Sequence, residues 1–179
     1  ALGLDTAKKQ IRMENGYQPY DRLLIATGSV FGIPPINHFR TASNVYGFRD
    51  LSDAQKIDEA VKKKNAKHVF IVGSGLVGLD VATGLMERGV KVTIAEMAPR
   101  VMPLQTDDTA AKAYQERFEA HGARFLLGIG ASDSIVNDQN EITAVVLSNG
   151  ETVECDFVIC AAGVRPNMEL LKDSGLAME

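Results

Sequence analysis

Residues 67–96 read Lys67-His-Val-Phe-Ile-Val-Gly-Ser-Gly-Leu-Val-Gly-Leu-Asp-Val-Ala-Thr-Gly-Leu-Met-Glu-Arg-Gly-Val-Lys-Val-Thr-Ile-Ala-Glu96: an apolar run, a glycine turn, a stretch of helical period and a second apolar run closed by an acid. His68 to Val72 is continuously apolar after its first residue, as in a strand buried on both faces, and the glycines begin where it stops. The turn therefore stands at a strand's carboxyl end. Within Gly73-Ser74-Gly75-Leu76-Val77-Gly78 each glycine has its own use. Gly73 permits the tight turn, Gly75 keeps a side chain away from the backbone N–H groups, and Gly78 lets the next helix lie close to the strand. That helix is expected to turn Leu76, Val77, Val81, Leu85 and Met86 toward a sheet and to stop at Gly89, with Val90 to Ala95 as the following strand.

Glu96 closes that strand roughly twenty residues after the glycines, where a carboxylate can accept hydrogen bonds from both hydroxyls of an adenine ribose. Strand, glycine turn, helix and acid in this order make the dinucleotide-binding fingerprint, with phosphates on the helix N-terminus. Glycines alone would serve a tight strand-to-helix turn equally well; the acid and the flanking elements make the pattern specific. A 2′-phosphate would meet like charge at Glu96, so NAD is favoured over NADP, although Arg100 on the following loop is near enough in sequence to meet a phosphate.

A chain of 179 residues, 45% hydrophobic, can bury one substantial core or a core plus part of another. Its net charge of −4 leaves no basic footprint for nucleic acid. No apolar run reaches membrane-spanning length and the first residues carry no signal-peptide pattern, so a cytoplasmic protein without a membrane partner is expected. Cys155 and Cys160 fall in Glu151 to Ala161, rich in Val, Ile and Phe and read as one strand. Their odd spacing would then point them to opposite faces, roughly 16 Å apart. A disulfide needs Cα atoms within about 7 Å, so buried, reduced thiols are the better reading, and nothing suggests a metal.

Elsewhere, Gln10 to Glu14 alternates as a half-buried strand, Asn15-Gly16 signals a two-residue hairpin, and Tyr20 to Ala26 reads as its second strand. Two strands cannot make a core, and nothing earlier in the chain supplies a partner. Gly32 to Arg40, with Pro34-Pro35, reads as an extended linker. Ser52 and Gln55 suggest a capping box for a helix to about Lys64, with Ile57, Ala60 and Val61 inward. Lys62-Lys63-Lys64 at its end compensates the helix dipole rather than binding an anion. Thr106 is expected to cap a helix bearing Ala111, Tyr114, Phe118 and His121 on one face and ending at Gly122. His121 compensates the dipole there. Arg124 to Leu127 completes β-α-β-α-β, and Glu141 to Leu147 joins Glu151 to Ala161 through a hairpin at Asn149-Gly150.

Tyr20-Asp-Arg-Leu-Leu-Ile-Ala-Thr-Gly-Ser29, the fingerprint from Val69 to Glu96, and Asp156-Phe-Val-Ile-Cys-Ala-Ala-Gly-Val-Arg-Pro-Asn167 together resemble, in order and spacing, the FAD-dependent pyridine nucleotide-disulfide oxidoreductases. The resemblance covers nearly the whole chain. It implies an α/β fold: a Rossmann-like parallel sheet flanked by helices, with an antiparallel β excursion and remnants of an FAD domain. Residues 1–47 would be the end of a first FAD-domain segment and a linker, 48–163 the NAD(H)-binding domain, and 164–179 the start of the return to the FAD domain.

The resemblance further implies that Gly73, Ser74, Gly75, Leu76, Val77, Gly78, Asp80, Glu96 and Gly163 bind NAD, with Asp80 near the nicotinamide end. Ala26, Thr27 and Gly28 would lie at the margin of an FAD site. Leu76 and Asp80 stand where many relatives have tyrosine and glutamate, which is more like NADH oxidases and nitrite, rubredoxin or ferredoxin reductases than glutathione reductase. A second glycine fingerprint before residue 1, a redox cysteine on the helix that would follow it and a Gly-Asp flavin motif after Asn167 are missing, so the chain looks like a portion of a larger reductase. Its partners would be the nucleotide, the remaining FAD and C-terminal domains, and a second copy in a homodimer. No residue is assigned as catalytic. A self-sufficient NAD-dependent dehydrogenase and a nucleotide sensor without chemistry are the alternatives; the dehydrogenase would need a proton-handling group, and only Asp80 is placed for one.

Overall fold

A computed structural model describes residues 1–176. The chain divides into two units, residues 1–30 with 164–179, and residues 31–163. The order of elements is β1 (Gly3–Asp5), β2 (Gln10–Met13), β3 (Gly16–Pro19), β4 (Ser29–Phe31), β5 (Val45–Tyr46), α1 (Leu51–Lys64), β6 (His68–Val72) and α2 (Leu76–Met86). There follow β7 (Lys91–Glu96), α3 (Asp108–Ala120), β8 (Arg124–Leu127), β9 (Ala131–Val136), β10 (Ile142–Leu147), β11 (Thr152–Glu154), β12 (Phe157–Cys160) and β13 (Val164–Pro166).

The larger unit is built on a five-stranded sheet in the order β5-β12-β6-β7-β8, all pairs parallel. Alternation along these strands sorts their side chains into two cores. Val69 and Ile71 of β6, Val92 and Ile94 of β7, and Phe157 and Ile159 of β12 face one way. They pack with Ile57 and Ala60 of α1 and with Leu79, Ala82 and Leu85 of α2. Phe70, Ala95, Val158 and Cys160 face the other way, onto Ile142, Val145 and Leu147 of β10 and onto Val153. The helices therefore cover one face of the sheet, and the antiparallel sheet β11-β10-β9 covers the other.

Several local expectations are corrected. Glu151 to Ala161 is two strands in two sheets, because Asp156 turns its carboxylate onto the N–H groups of Lys67 (2.7 Å) and His68 (2.9 Å) and breaks the run. Cys155 and Cys160 thus lie in one buried core rather than on opposite faces of one strand. Both are free thiols, and burial pushes each up to about 12. The strand β9, too polar in sequence to stand out, pairs with β10.

Helix α1 is capped by Asp50, whose carboxylate accepts from Asp53 N–H (3.1 Å) while Asp53 accepts from Arg49 N–H (3.0 Å). This stands in place of the capping box expected of Ser52 and Gln55, with the return bond made to Arg49, one residue before the cap. Asp107, not Thr106, caps α3 by accepting from Ala110 N–H; the Thr106 hydroxyl donates to the Met102 carbonyl. On α3 only Ala111 is buried, while Tyr114 is exposed. Gly32 to Arg40 is no extended linker: Phe39 is buried, Phe31, Ile33 and Ile36 pack against the core it belongs to, and β5 beyond it extends the sheet.

In the smaller unit β1, β2 and β3 form an antiparallel sheet, β2 pairing with β3 through Met13 and Gly16 across a two-residue turn at Glu14-Asn15. The short strand β1 supplies the partner that the sequence reading found missing. Tyr20 to Ala26 is not a strand; Leu24 is 88% exposed, and among the described residues no sheet edge pairs with this segment. β4 and β13 form a two-stranded sheet. Thr27 and Asn167 hold their segments together reciprocally: the Thr27 hydroxyl donates to the Asn167 carbonyl (2.7 Å), and Asn167 Nδ2 donates to the Thr27 carbonyl (2.9 Å).

Candidate functional site

Strand order reverses beside β6. The path β6-α2-β7-α3-β8 moves to one side of it, whereas the later strand β12 returns to pair on the other. Such a reversal leaves a crevice at the carboxyl ends of the strands, where ligands of open α/β sheets bind. The Gly73 turn follows β6 at this point, with Ala161 to Gly163 leaving β12 alongside it: Ala161 N–H donates to the Val72 carbonyl (2.8 Å). Gly73, Ser74, Gly75, Glu96 and Gly163 are thus all brought to one end of one sheet.

The three glycines of the turn stand in different surroundings. Gly73 has φ +102, and a Cβ there would stand 2.6 Å from the Ala161 carbonyl oxygen. A Cβ on Gly78 would stand 2.1 Å from the Gly73 carbonyl oxygen. Gly75 differs from both. Its backbone is extended, with φ −70 and ψ −178, which any residue adopts, and a Cβ there would meet nothing within 4 Å. Neither strain nor packing within the chain calls for glycine at this position.

Gly75 is also the N-cap of α2 and offers no side-chain hydrogen bond to the first N–H groups of the helix. Those donors and the positive end of the helix dipole are turned toward the crevice, an arrangement suited to an anion. Leu76 and Val77, expected to face the sheet, are instead 57% and 41% exposed, and Asp80 is exposed one turn on. The inward face of α2 is Leu79, Val81, Ala82 and Leu85. The first turn touches the body of the unit through Gly78.

Glu96 stands across from the turn, half-buried. Its Oε2 accepts from Ser74 N–H (2.9 Å) and from the Ser74 hydroxyl (3.0 Å), and its Oε1 accepts from Ala98 N–H (2.9 Å). Ser74 is fully buried, and its carbonyl accepts from Met102 N–H (3.0 Å). Ser74 and Met102 were not visible as partners in the sequence, since their contacts depend on how two loops meet. The Arg100 guanidinium donates to the carbonyls of Pro103 (3.0 Å) and Thr106 (3.2 Å) and pairs with Asp108 (3.2 Å).

The residues set aside by the sequence have structural occupations. Lys62, Lys63 and Lys64 pair with Asp58, Glu59 and Glu141. His121 Nδ1 lies 2.7 Å from the Arg117 carbonyl at the end of α3. Among the described residues no group of His, Cys, Asp and Glu could hold a metal ion, and no helix is long and apolar enough to cross a membrane.

The family model described as pyridine nucleotide-disulphide oxidoreductase matches residues 1–179. The chain belongs to that family. Within it, the nitrite reductase [NAD(P)H] of Bacillus subtilis is 36% identical over 176 residues, covering 98% of this chain and 21% of the relative. An NADH oxidase of Methanocaldococcus jannaschii is 35% identical over 156 residues, covering 87% of this chain and 34% of the relative. The ferredoxin reductase of Rhodopseudomonas palustris superposes with a TM-score of 0.90 at 27% identity, covering 99% of this chain and 43% of that one. The chain thus spans about a fifth to two-fifths of the length of these family members.

Proposed function

We propose that the chain is the NAD(H)-binding part of a flavin-dependent oxidoreductase in which hydride passes from NADH to FAD and on to a further acceptor. The observation that carries this reading is Gly75. Among the fingerprint glycines it alone has no role in the chain's own packing or backbone, and it stands at a helix N-terminus facing open space. A ligand that must approach the backbone closely, as a pyrophosphate does, accounts for it.

On this reading the N–H groups at the start of α2 hold the pyrophosphate, and Glu96 accepts from the adenine ribose. Gly73 and Gly78 keep the turn tight, while Leu76, Val77, Asp80 and Gly163 border the nicotinamide end. The commitment of Arg100 to Pro103, Thr106 and Asp108 supports NAD over NADP, because it leaves Glu96 as the charge facing the ribose. Ala26, Thr27 and Gly28, the last two hydrogen-bonded to Asn167, form the margin of the FAD site. The FAD and C-terminal domains, a second copy of the protein and a cytoplasmic setting complete the proposal. The redox chemistry belongs to the nicotinamide and flavin; this chain binds, orients and shields. NADH should bleach the visible flavin absorption of the purified full-length gene product. A full-length product without flavin, or one whose flavin NADH does not reduce, contradicts the proposal.

A further inference from the structure

We infer that Ser74 is a positioning residue for nucleotide choice, holding Glu96 so that its carboxylate faces a ribose and cannot withdraw from a 2′-phosphate. The inference rests on the proposed binding of NADH at this site. A carboxylate offers about four acceptor positions, two on each oxygen. Both on Oε2 are taken by Ser74, through its N–H (2.9 Å) and its hydroxyl (3.0 Å), and one on Oε1 is taken by Ala98 N–H (2.9 Å). The remaining acceptor position is on Oε1, so in this arrangement one ribose hydroxyl can be received there.

The hold is stiff because Ser74 itself cannot move. It is fully buried, its carbonyl accepts from Met102 N–H, and the neighbouring Gly73 N–H donates to the Ala95 carbonyl on the same strand as Glu96. A glutamate side chain has several rotatable bonds and, if free, would swing away from an incoming phosphate dianion. Held by three donors, it stays and repels. The serine hydroxyl supplies one of the two bonds on Oε2 and is the one that a side-chain substitution can remove without touching the backbone.

The test is calorimetric titration of NADH and NADPH into the unaltered chain, Ser74→Ala, Ser74→Gly, Glu96→Ala and the Ser74→Ala/Glu96→Ala double variant, with folding of each checked by circular dichroism. The two Ser74 variants remove the hydroxyl by different routes, so that one tests the inference where the other fails to fold. Ser74→Ala should lower the NADH-to-NADPH affinity ratio about threefold to tenfold, the size of the net contribution of one ordinary hydrogen bond. In the Glu96→Ala background the same change should leave the ratio as it was. A ratio unmoved in folded Ser74→Ala and Ser74→Gly overturns the inference about Ser74, and so does an equal loss for both nucleotides. If the unaltered chain binds neither nucleotide, the reading of the site falls first and the inference with it.

Discussion

Asn44 and Ile142 exchange hydrogen bonds across a wide sequence gap: Asn44 Nδ2 donates to the Ile142 carbonyl (2.8 Å), and Ile142 N–H donates to Asn44 Oδ1 (2.7 Å). The same Nδ2 donates to the Asp156 carbonyl (2.9 Å), and Asn44 is 1% exposed. One amide therefore ties the start of β10 to the segment between β11 and β12, closing the antiparallel excursion onto the parallel sheet. Asn44→Ala leaves three backbone groups without this partner in a buried place. Loss of about 2–4 kcal/mol of unfolding free energy is expected in urea denaturation. A loss below about 0.5 kcal/mol would show that the amide is not the tie described.

The glycines of α2 should separate by environment. A Cβ at Gly84, in the helix interior, meets nothing within 4 Å, so Gly84→Ala should stabilise by about 0.5–1 kcal/mol. Gly78→Ala, whose Cβ would fall 2.1 Å from the Gly73 carbonyl oxygen, must displace backbone and should cost about 2 kcal/mol or more. Equal thermal midpoints for the two variants would refute the close approach of α2 to the turn.

His68 gives stability a pH dependence. Its Nε2 lies 2.8 Å from the Thr93 hydroxyl, and burial holds its pKa below the ordinary histidine value, with the Asp156 carboxylate opposing. The unfolded chain therefore takes up the proton more readily than the folded one. This contribution is fully present above the ordinary value of about 6.5 and is lost as pH falls from there through the lower folded value. Urea midpoints compared between about pH 8 and pH 5 should fall further for the unaltered chain than for His68→Gln. Parallel curves would exclude His68 as the source.

What the sequence disclosed follows from the range of the forces involved. The unit β6-α2-β7 was legible because its periodicity, its glycines and Glu96 are all local. Asp156 was not, because a Val- and Ile-rich run looks continuous until the N–H groups of Lys67 and His68, distant in sequence, claim the carboxylate. β1 is too short to be recognised without β2 opposite it, and Asn44 looks like any loop residue until Ile142 is placed beside it. Leu23 to Ile25 has strand composition without a strand, since composition does not supply a neighbouring edge. At the site, the glycines and the acid could be named from the sequence, but the grip of Ser74 on Glu96 required the loops to be folded.

Binding of NADH to Gly75→Val tests the central claim most directly. Valine fits the backbone angles at this position and meets no atom of the chain within 4 Å of its Cβ, so the variant should unfold within about 1 kcal/mol of the unaltered protein. Calorimetric titration should then show no NADH binding at concentrations that saturate the unaltered chain. A folded Gly75→Val protein that binds NADH with unchanged affinity would contradict the assignment of this turn as the nucleotide site.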